Sequence, residues 1–168
     1  IQKLINAIPK NCFKVGDSQV ASRWGNITEF KNFDLITPNE REARFSLADQ
    51  DSTVGKLSRM LYDKTKYKNL ILKLGSRGVF CNGIRGKKMS PFAIGVFTDN
   101  VVDAVGSGDA LLAYATLSLK VSNSLMIASI LGSIAASCAC EIEGNEPITI
   151  DTINSKIKEI QKKINYTH

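Results

Sequence analysis

Asp103-Ala104-Val105-Gly106-Ser107-Gly108-Asp109 is the stretch from which this chain is read. It sets two glycines and a carboxylate at the mouth of a long apolar segment of helical character, residues 110–119. The start of a helix presents N–H groups with no partner inside the helix, and the positive end of the helix dipole. Glycines let a phosphate approach that backbone closely. A carboxylate in the same turn suits proton abstraction from a hydroxyl that attacks the phosphate. The stretch therefore points to phosphoryl transfer. The plainer account is a strand-to-helix turn that needs glycines, with Asp109 stabilising the helix start by up to about 1 kcal/mol. The placement of Asp109 beside the glycines favours the catalytic account. Asp103 precedes the glycines at an expected strand end, which suits a loop-orienting or metal-network group better than the base.

The chain has 168 residues, enough for one core domain and not for a second independent one. Its net charge of +6 suits anionic ligands. Lys156, Lys158, Lys162 and Lys163 fall on one expected terminal helix and read as a solvated face, since no aromatics interleave with them. A nucleic-acid partner is not expected. Cys12, Cys81, Cys138 and Cys140 include no Cys-x-x-Cys pair and read as buried free thiols of a reducing cytoplasm. The only histidine is His168, which excludes a histidine-based triad or zinc site. No apolar run reaches membrane-spanning length and no signal peptide is apparent. Ile1, Leu4, Ile5 and Ile8 already have helical spacing, so the protein is expected to begin upstream.

Helices are expected over residues 1–8, 39–48, 52–62, 110–120, 124–140 and 152–164. Short buried strands are expected over 12–15, 33–37 and 69–74, and a hairpin with arms 79–82 and 87–89 around Gly83 to Gly86. Residues 18–31 read as loop or irregular helix. Val96-Phe97-Thr98 and Val101-Val102 lead toward the glycine-rich loop. Strands alternating with helices imply an α/β fold with a parallel sheet covered on both faces.

Two further constellations carry chemistry. Asn39 and Glu42 in Thr37-Pro38-Asn39-Glu40-Arg41-Glu42 project from one side of a first helical turn. An amide and a carboxylate there suit a hydrated Mg²⁺ near phosphates, which keeps waters and takes few protein ligands. The same pair is also an ordinary capping box, the better account of this stretch alone. Lys73-Leu74-Gly75-Ser76-Arg77-Gly78 closes a strand where open α/β sheets bind ligands, and Lys73 or Ser76 is placed to touch nucleotide phosphates. Gly83-Ile84-Arg85-Gly86-Lys87-Lys88 is not a P-loop, because Cys81 stands where the first glycine is required and Lys88 where a hydroxyl must bind magnesium.

In this order, Asn39-x-x-Glu42, Lys73-Leu74-Gly75-x-x-Gly78 and Asp103-x-x-Gly106-Ser107-Gly108-Asp109 resemble the C-terminal half of the PfkB, or ribokinase-like, carbohydrate kinases. Asp17-Ser18-Gln19, Trp24-Gly25-Asn26 and Leu35-Ile36-Thr37-Pro38-Asn39-Glu40 are similar to members acting on sugars or sugar phosphates, including the heptose-phosphate kinases. The resemblance implies a three-layer sandwich with a mostly parallel central sheet flanked by helices. It implies Asp109 as catalytic base and Gly106, Ser107 and Gly108 as the anion hole. Asn39 and Glu42 then organise Mg²⁺ and phosphate, and Gly75, Ser76 and Gly78 form the nucleotide-side loop. Gly144 falls near the adenine. ATP and a sugar or sugar phosphate are the implied substrates, with a monovalent cation and a homodimer compatible with the family. Ala104 replaces the usual threonine and Ser107 a common alanine, and neither change removes a backbone donor. The sugar-binding N-terminal half is not in the sequence, so the segment alone is expected to be inactive. A kinase for a nucleoside or vitamin alcohol, or a non-catalytic nucleotide-binding module, shares these loops.

Overall fold

Leu35, Ile36, Leu70, Ile71 and Leu72 are completely buried, as neighbouring residues of a strand are when both of its faces are covered. They lie in a computed structural model that describes residues 2–18, 26–86, 88–144 and 146–165. Gln19, Trp24 and Gly25 from the resemblance, and Lys87, Asn145 and His168, fall outside the described residues. Contacts divide the chain into two compact units, Ile1–Ala93 and Ile94–His168.

The first unit opens with helix α1 (Gln2–Ala7) and carries strands β1 (Val15–Gly16), β2 (Leu35–Ile36), β3 (Asn69–Lys73), β4 (Val79–Arg85) and β5 (Lys88–Ile94). They form one sheet in the order β1-β2-β3-β4-β5. β1 and β3 run parallel to β2, and β4 runs antiparallel to β3, so the sheet is mixed. β1 and β2 are shorter than the apolar runs that announce them. The Asp34 carboxylate takes the Lys14 N–H at 2.8 Å, so a side chain occupies a donor that a longer ladder would use. The hairpin is longer than expected. Gly83 is a strand residue paired with Asn69, and the turn keeps only Gly86, at φ 62°.

Helices α2 (Glu40–Leu47) and α3 (Val54–Thr65) connect β2 to β3. With the 3₁₀ turn Ile27–Glu29 they bury Ile27, Ala43, Leu57 and Leu61 against Ile36, Leu70 and Leu72. This face also holds a polar knot. The Tyr67 hydroxyl donates to the Ser58 carbonyl at 3.1 Å, lies 2.9 Å from the Ser58 hydroxyl and accepts from Asn82 Nδ2 at 3.0 Å. Burial pushes the Tyr67 phenol up to about 12, against the opposing pull of its hydrogen bonds. Tyr67→Phe is expected to destabilise the unit by about 1–2 kcal/mol in urea unfolding. The effect stays moderate because Asn82 Nδ2 also donates to the Ser58 hydroxyl at 2.9 Å.

The second unit contains α4 (Ser107–Ser122), α5 (Leu125–Cys140) and α6 (Ile150–Asn165). Ile134, Ala135, Cys138 and Ile153 form its core, flanked by Phe97, Tyr114 and Ile157. α4 and α5 approach closely at Gly132, where an added Cβ would stand 3.0 Å from both the Leu111 carbonyl oxygen and the Ala115 Cβ. Lys156 departs from the expected solvated face. It is buried, with its ammonium on Glu141 at 2.5 Å and on Glu159 at 3.1 Å. Burial alone would lower the Lys156 pKa, but these two carboxylates raise it above its ordinary value. The thiols also depart in part from expectation. Cys81 and Cys138 are buried, whereas Cys12 is exposed and Cys140 partly so, and none of the four is in a disulfide. Among the described residues no helix is long and apolar enough to cross a membrane.

Candidate active site

The parallel strands of the first unit end together, and the chemistry-bearing residues gather where they end. Asp17 follows β1, Thr37 and Pro38 follow β2, and Lys73 closes β3. The Thr37 N–H donates to the Gly16 carbonyl and the Lys73 N–H to the Pro38 carbonyl, each at 2.9 Å. These bonds carry the register past the end of β2 and deliver Asn39 to the start of α2, where it pairs with Lys73 in a parallel bridge.

Asn39 and Glu42 form the capping box that the spacing allows. The Glu42 N–H donates to Asn39 Oδ1 and the Asn39 N–H to Glu42 Oε2, both at 2.8 Å. Ser18 Oγ donates to the same Glu42 oxygen at 3.3 Å. Glu42 is only 6% exposed. Burial raises its pKa above the ordinary 4.5, with the Asn39 N–H and the charge of Lys73 pulling the other way. The folded state therefore favours protonated Glu42, a preference fully present below the unfolded pKa and lost as pH rises through the folded one. Glu42→Gln keeps the cap and cannot ionise. Its melting temperature is expected to match the wild type in acid and to exceed it increasingly as pH rises above 4.5.

The second oxygen of Glu42 has no hydrogen-bond partner among the described residues, and no three His, Cys, Asp or Glu side chains there form a metal cage. Hard oxygens with one free position fit a hydrated Mg²⁺ held through water, and do not fit a cation stripped of its shell. A cleft of about 500 Å³ lies alongside, lined by Asn39, Glu40, Arg44, Lys73, Leu74 and Gly75.

The loop after β3 is a 3₁₀ turn, Gly75–Arg77. Gly75 and Gly78 adopt φ of 62° and 81°, a region that side chains disfavour. The turn closes on itself through the Leu74 N–H to the Gly78 carbonyl at 2.8 Å. Arg77 reaches back to the Glu40 carboxylate on α2, and Glu40 also holds Arg44.

In the second unit, α4 begins at Ser107, three residues before the apolar run, so Gly108 and Asp109 lie inside its first turn. Gly106 caps it at φ 78° with no side chain to satisfy the helix amides. Of the residues expected to form the anion hole, Ser107 turns its N–H to the Ala104 carbonyl at 3.3 Å and its hydroxyl to the same oxygen at 2.8 Å. The N–H groups of Gly106, Gly108 and Asp109 have no partner among the described residues. Asp109 is exposed beside them. Asp103 takes the loop-orienting geometry. One carboxylate oxygen accepts the Val105 N–H at 3.0 Å, the other the Gly144 N–H at 3.3 Å. Gly144 itself sits at φ 83° after α5. Val101 and Val102 are exposed and form no strand; the segment is anchored by the Val102 and Asp103 N–H groups on the Cys140 carbonyl.

The sequence profile of the pfkB family carbohydrate kinases matches residues 2–151. The chain belongs to this family. Its fold is ribokinase-like. Phosphofructokinase-2 from Escherichia coli, crystallised with substrates and products, superposes with a TM-score of 0.77 at 20% identity, over 95% of this chain and 52% of that one. Ribokinase from Thermotoga maritima gives 0.73 at 21% identity, over 94% and 52%. Ribokinase from Arabidopsis thaliana, complexed with ribose and ATP, gives 0.67 at 23%, over 86% and 46%. The pfkB chain described here thus spans about half the length of the solved structures it resembles. No curated protein sequence matches it.

Asp17 is the residue at these strand ends that the site reading of the sequence passed over. Lys73 Nζ lies 3.1 and 3.2 Å from its two carboxylate oxygens. The partners stand 56 positions apart, and no local spacing links them.

Proposed function

We propose that the full-length protein transfers the γ-phosphoryl group of ATP to a hydroxyl of a sugar or sugar phosphate. One observation carries this reading. A member of a carbohydrate-kinase family opens α4 with three N–H groups that have no partner among the described residues, and with an exposed carboxylate in the same turn. Amides fixed in that turn suit the charge that builds on a transferring phosphoryl group. Asp109 takes the proton of the acceptor hydroxyl as its oxygen attacks phosphorus.

The other residues serve the nucleotide. Gly75, Ser76 and Gly78 present the turn after β3 to its phosphates, Lys73 supplies a cation, and Gly144 borders the base. Asn39 and Glu42 would hold Mg²⁺ through its waters. Bound there, the ion neutralises charge on the phosphates. The 168 residues then act as one nucleotide-binding and catalytic half, with sugar contacts in the remainder of the protein.

The test is transfer of label from [γ-³²P]ATP, with Mg²⁺, to a panel of sugars, sugar phosphates, nucleosides and vitamin alcohols. Labelled product confined to sugars or sugar phosphates supports the reading. Labelled nucleoside or vitamin alcohol replaces it with a related kinase. Tight ATP binding without transfer to any acceptor replaces it with a binding module.

A further inference from the structure

The roles assigned above leave the Asp17–Lys73 ion pair unexplained. β1 and β3 are not neighbours; β2 lies between them. Strands spaced by about 4.8 Å put the two backbones about 10 Å apart, so the pair spans the end of β2. Both side chains are largely buried, Lys73 at 19% exposure and Asp17 at 23%, and solvent screens them little. Glu42 belongs to the same cluster. Ser18, next to Asp17, donates to Glu42 Oε2 at 3.3 Å, and Asn39, whose N–H donates to the same oxygen, pairs with Lys73 in a parallel bridge. Asp17 and Glu42 are thus two anions of one cluster, and the Lys73 ammonium is bound to the first. The ammonium sits on both oxygens of Asp17, and no Lys73–Glu42 ion pair forms among the described residues.

We propose that Asp17 is a positioning residue that holds the Lys73 ammonium away from Glu42, so that the free oxygen of Glu42 stays available to a hydrated magnesium ion. This rests on the kinase reading above. The Lys73 ammonium faces both Asp17 oxygens and, with three protons, keeps a donor for a phosphate. Without Asp17, Glu42 is the remaining anion of the cluster. A lysine settled there meets the incoming cation as a like charge and occupies the oxygen that would receive its water shell.

The experiment measures Mn²⁺ binding by electron paramagnetic resonance, on full-length protein with a non-hydrolysable ATP analogue. The variants are Asp17→Ala, Lys73→Met and the double substitution. Asp17→Ala is expected to weaken Mn²⁺ binding by about tenfold. Lys73→Met is expected to weaken Mn²⁺ binding where Asp17 is present, because its contact with the nucleotide is lost, and to strengthen it where Asp17 is absent. That reversal separates displacement of the lysine from charge acting through space. Equal effects of Lys73→Met in both backgrounds overturn the proposal, as does an Asp17→Ala variant that binds Mn²⁺ like the wild type. Thermal melting confirms that each variant folds, and Asp17→Asn replaces Asp17→Ala in the cycle if the alanine variant does not. A wild-type protein that fails to bind Mn²⁺ with the analogue takes down the kinase reading as well. Binding with an additive cycle removes only the role of Asp17.

Discussion

Asp109→Asn in the full-length protein is expected to lower kcat for the proposed sugar phosphorylation by about 10³-fold, within the range that a positioned general base contributes. That corresponds to about 4 kcal/mol of transition-state stabilisation. The amide has the size of the carboxylate but cannot accept the hydroxyl proton. The unpartnered amides of Gly106 and Gly108 remain, so KM for ATP moves only a few-fold. Stability changes by no more than about 1 kcal/mol, the contribution of a charge in the first turn of a helix. Rapid-quench turnover at saturating ATP and sugar gives the answer. A variant within a few-fold of wild type removes Asp109 from the chemistry.

Gly132→Val unfolds or strongly destabilises the second unit. A first added carbon already stands 3.0 Å from the Leu111 carbonyl oxygen, which cannot rotate away, and equally close to the Ala115 Cβ. The two methyl groups of valine must then force α4 and α5 apart. Overpacking of a tight core costs about 1–3 kcal/mol and sometimes more, and at this backbone contact about 3 kcal/mol or more is expected. Chemical denaturation followed by circular dichroism measures it. Gly132→Ala carries only the first carbon and falls between wild type and valine. A valine variant as stable as wild type shows that the helices do not meet at this glycine. The consequence reaches the turn proposed to bind phosphate, because α4 that packs at Leu111 and Ala115 also opens at Gly106 and carries Asp109.

Where a residue's chemistry was local, the sequence disclosed it. Asn39 and Glu42 stand three apart and form the capping box, and α2 ends at Leu47, capped by Ala48 in the left-handed conformation, within a residue of the expected boundary. The order of the three motifs was enough to place the chain in its family. Propensity misled at α4. Glycines weaken a helix, so the helix was expected to begin after Asp109, whereas it begins at Ser107 and takes Gly108 and Asp109 into its first turn. Gly83 misled in the opposite sense, since pairing with Asn69 on β3 outweighs its preference for a turn. Lys156 looked solvated because only one of its partners is local: Glu159 stands three residues on along α6, whereas Glu141 lies 15 residues back, at the end of α5. Asp17 stayed hidden for the same reason at longer range, since only the sheet order brings it to Lys73.

The central claim is that the turn opening α4 receives the transferring phosphoryl group while Asp109 faces the acceptor oxygen. A crystal structure of the full-length protein with magnesium, a non-hydrolysable ATP analogue and its sugar tests it most directly. The expected result places γ-phosphate oxygens about 2.7–3.1 Å from the N–H groups of Gly106, Gly108 or Asp109, with the sugar hydroxyl in hydrogen-bond reach of the Asp109 carboxylate. A γ-phosphate bound elsewhere, with the α4 turn open to water, would contradict it.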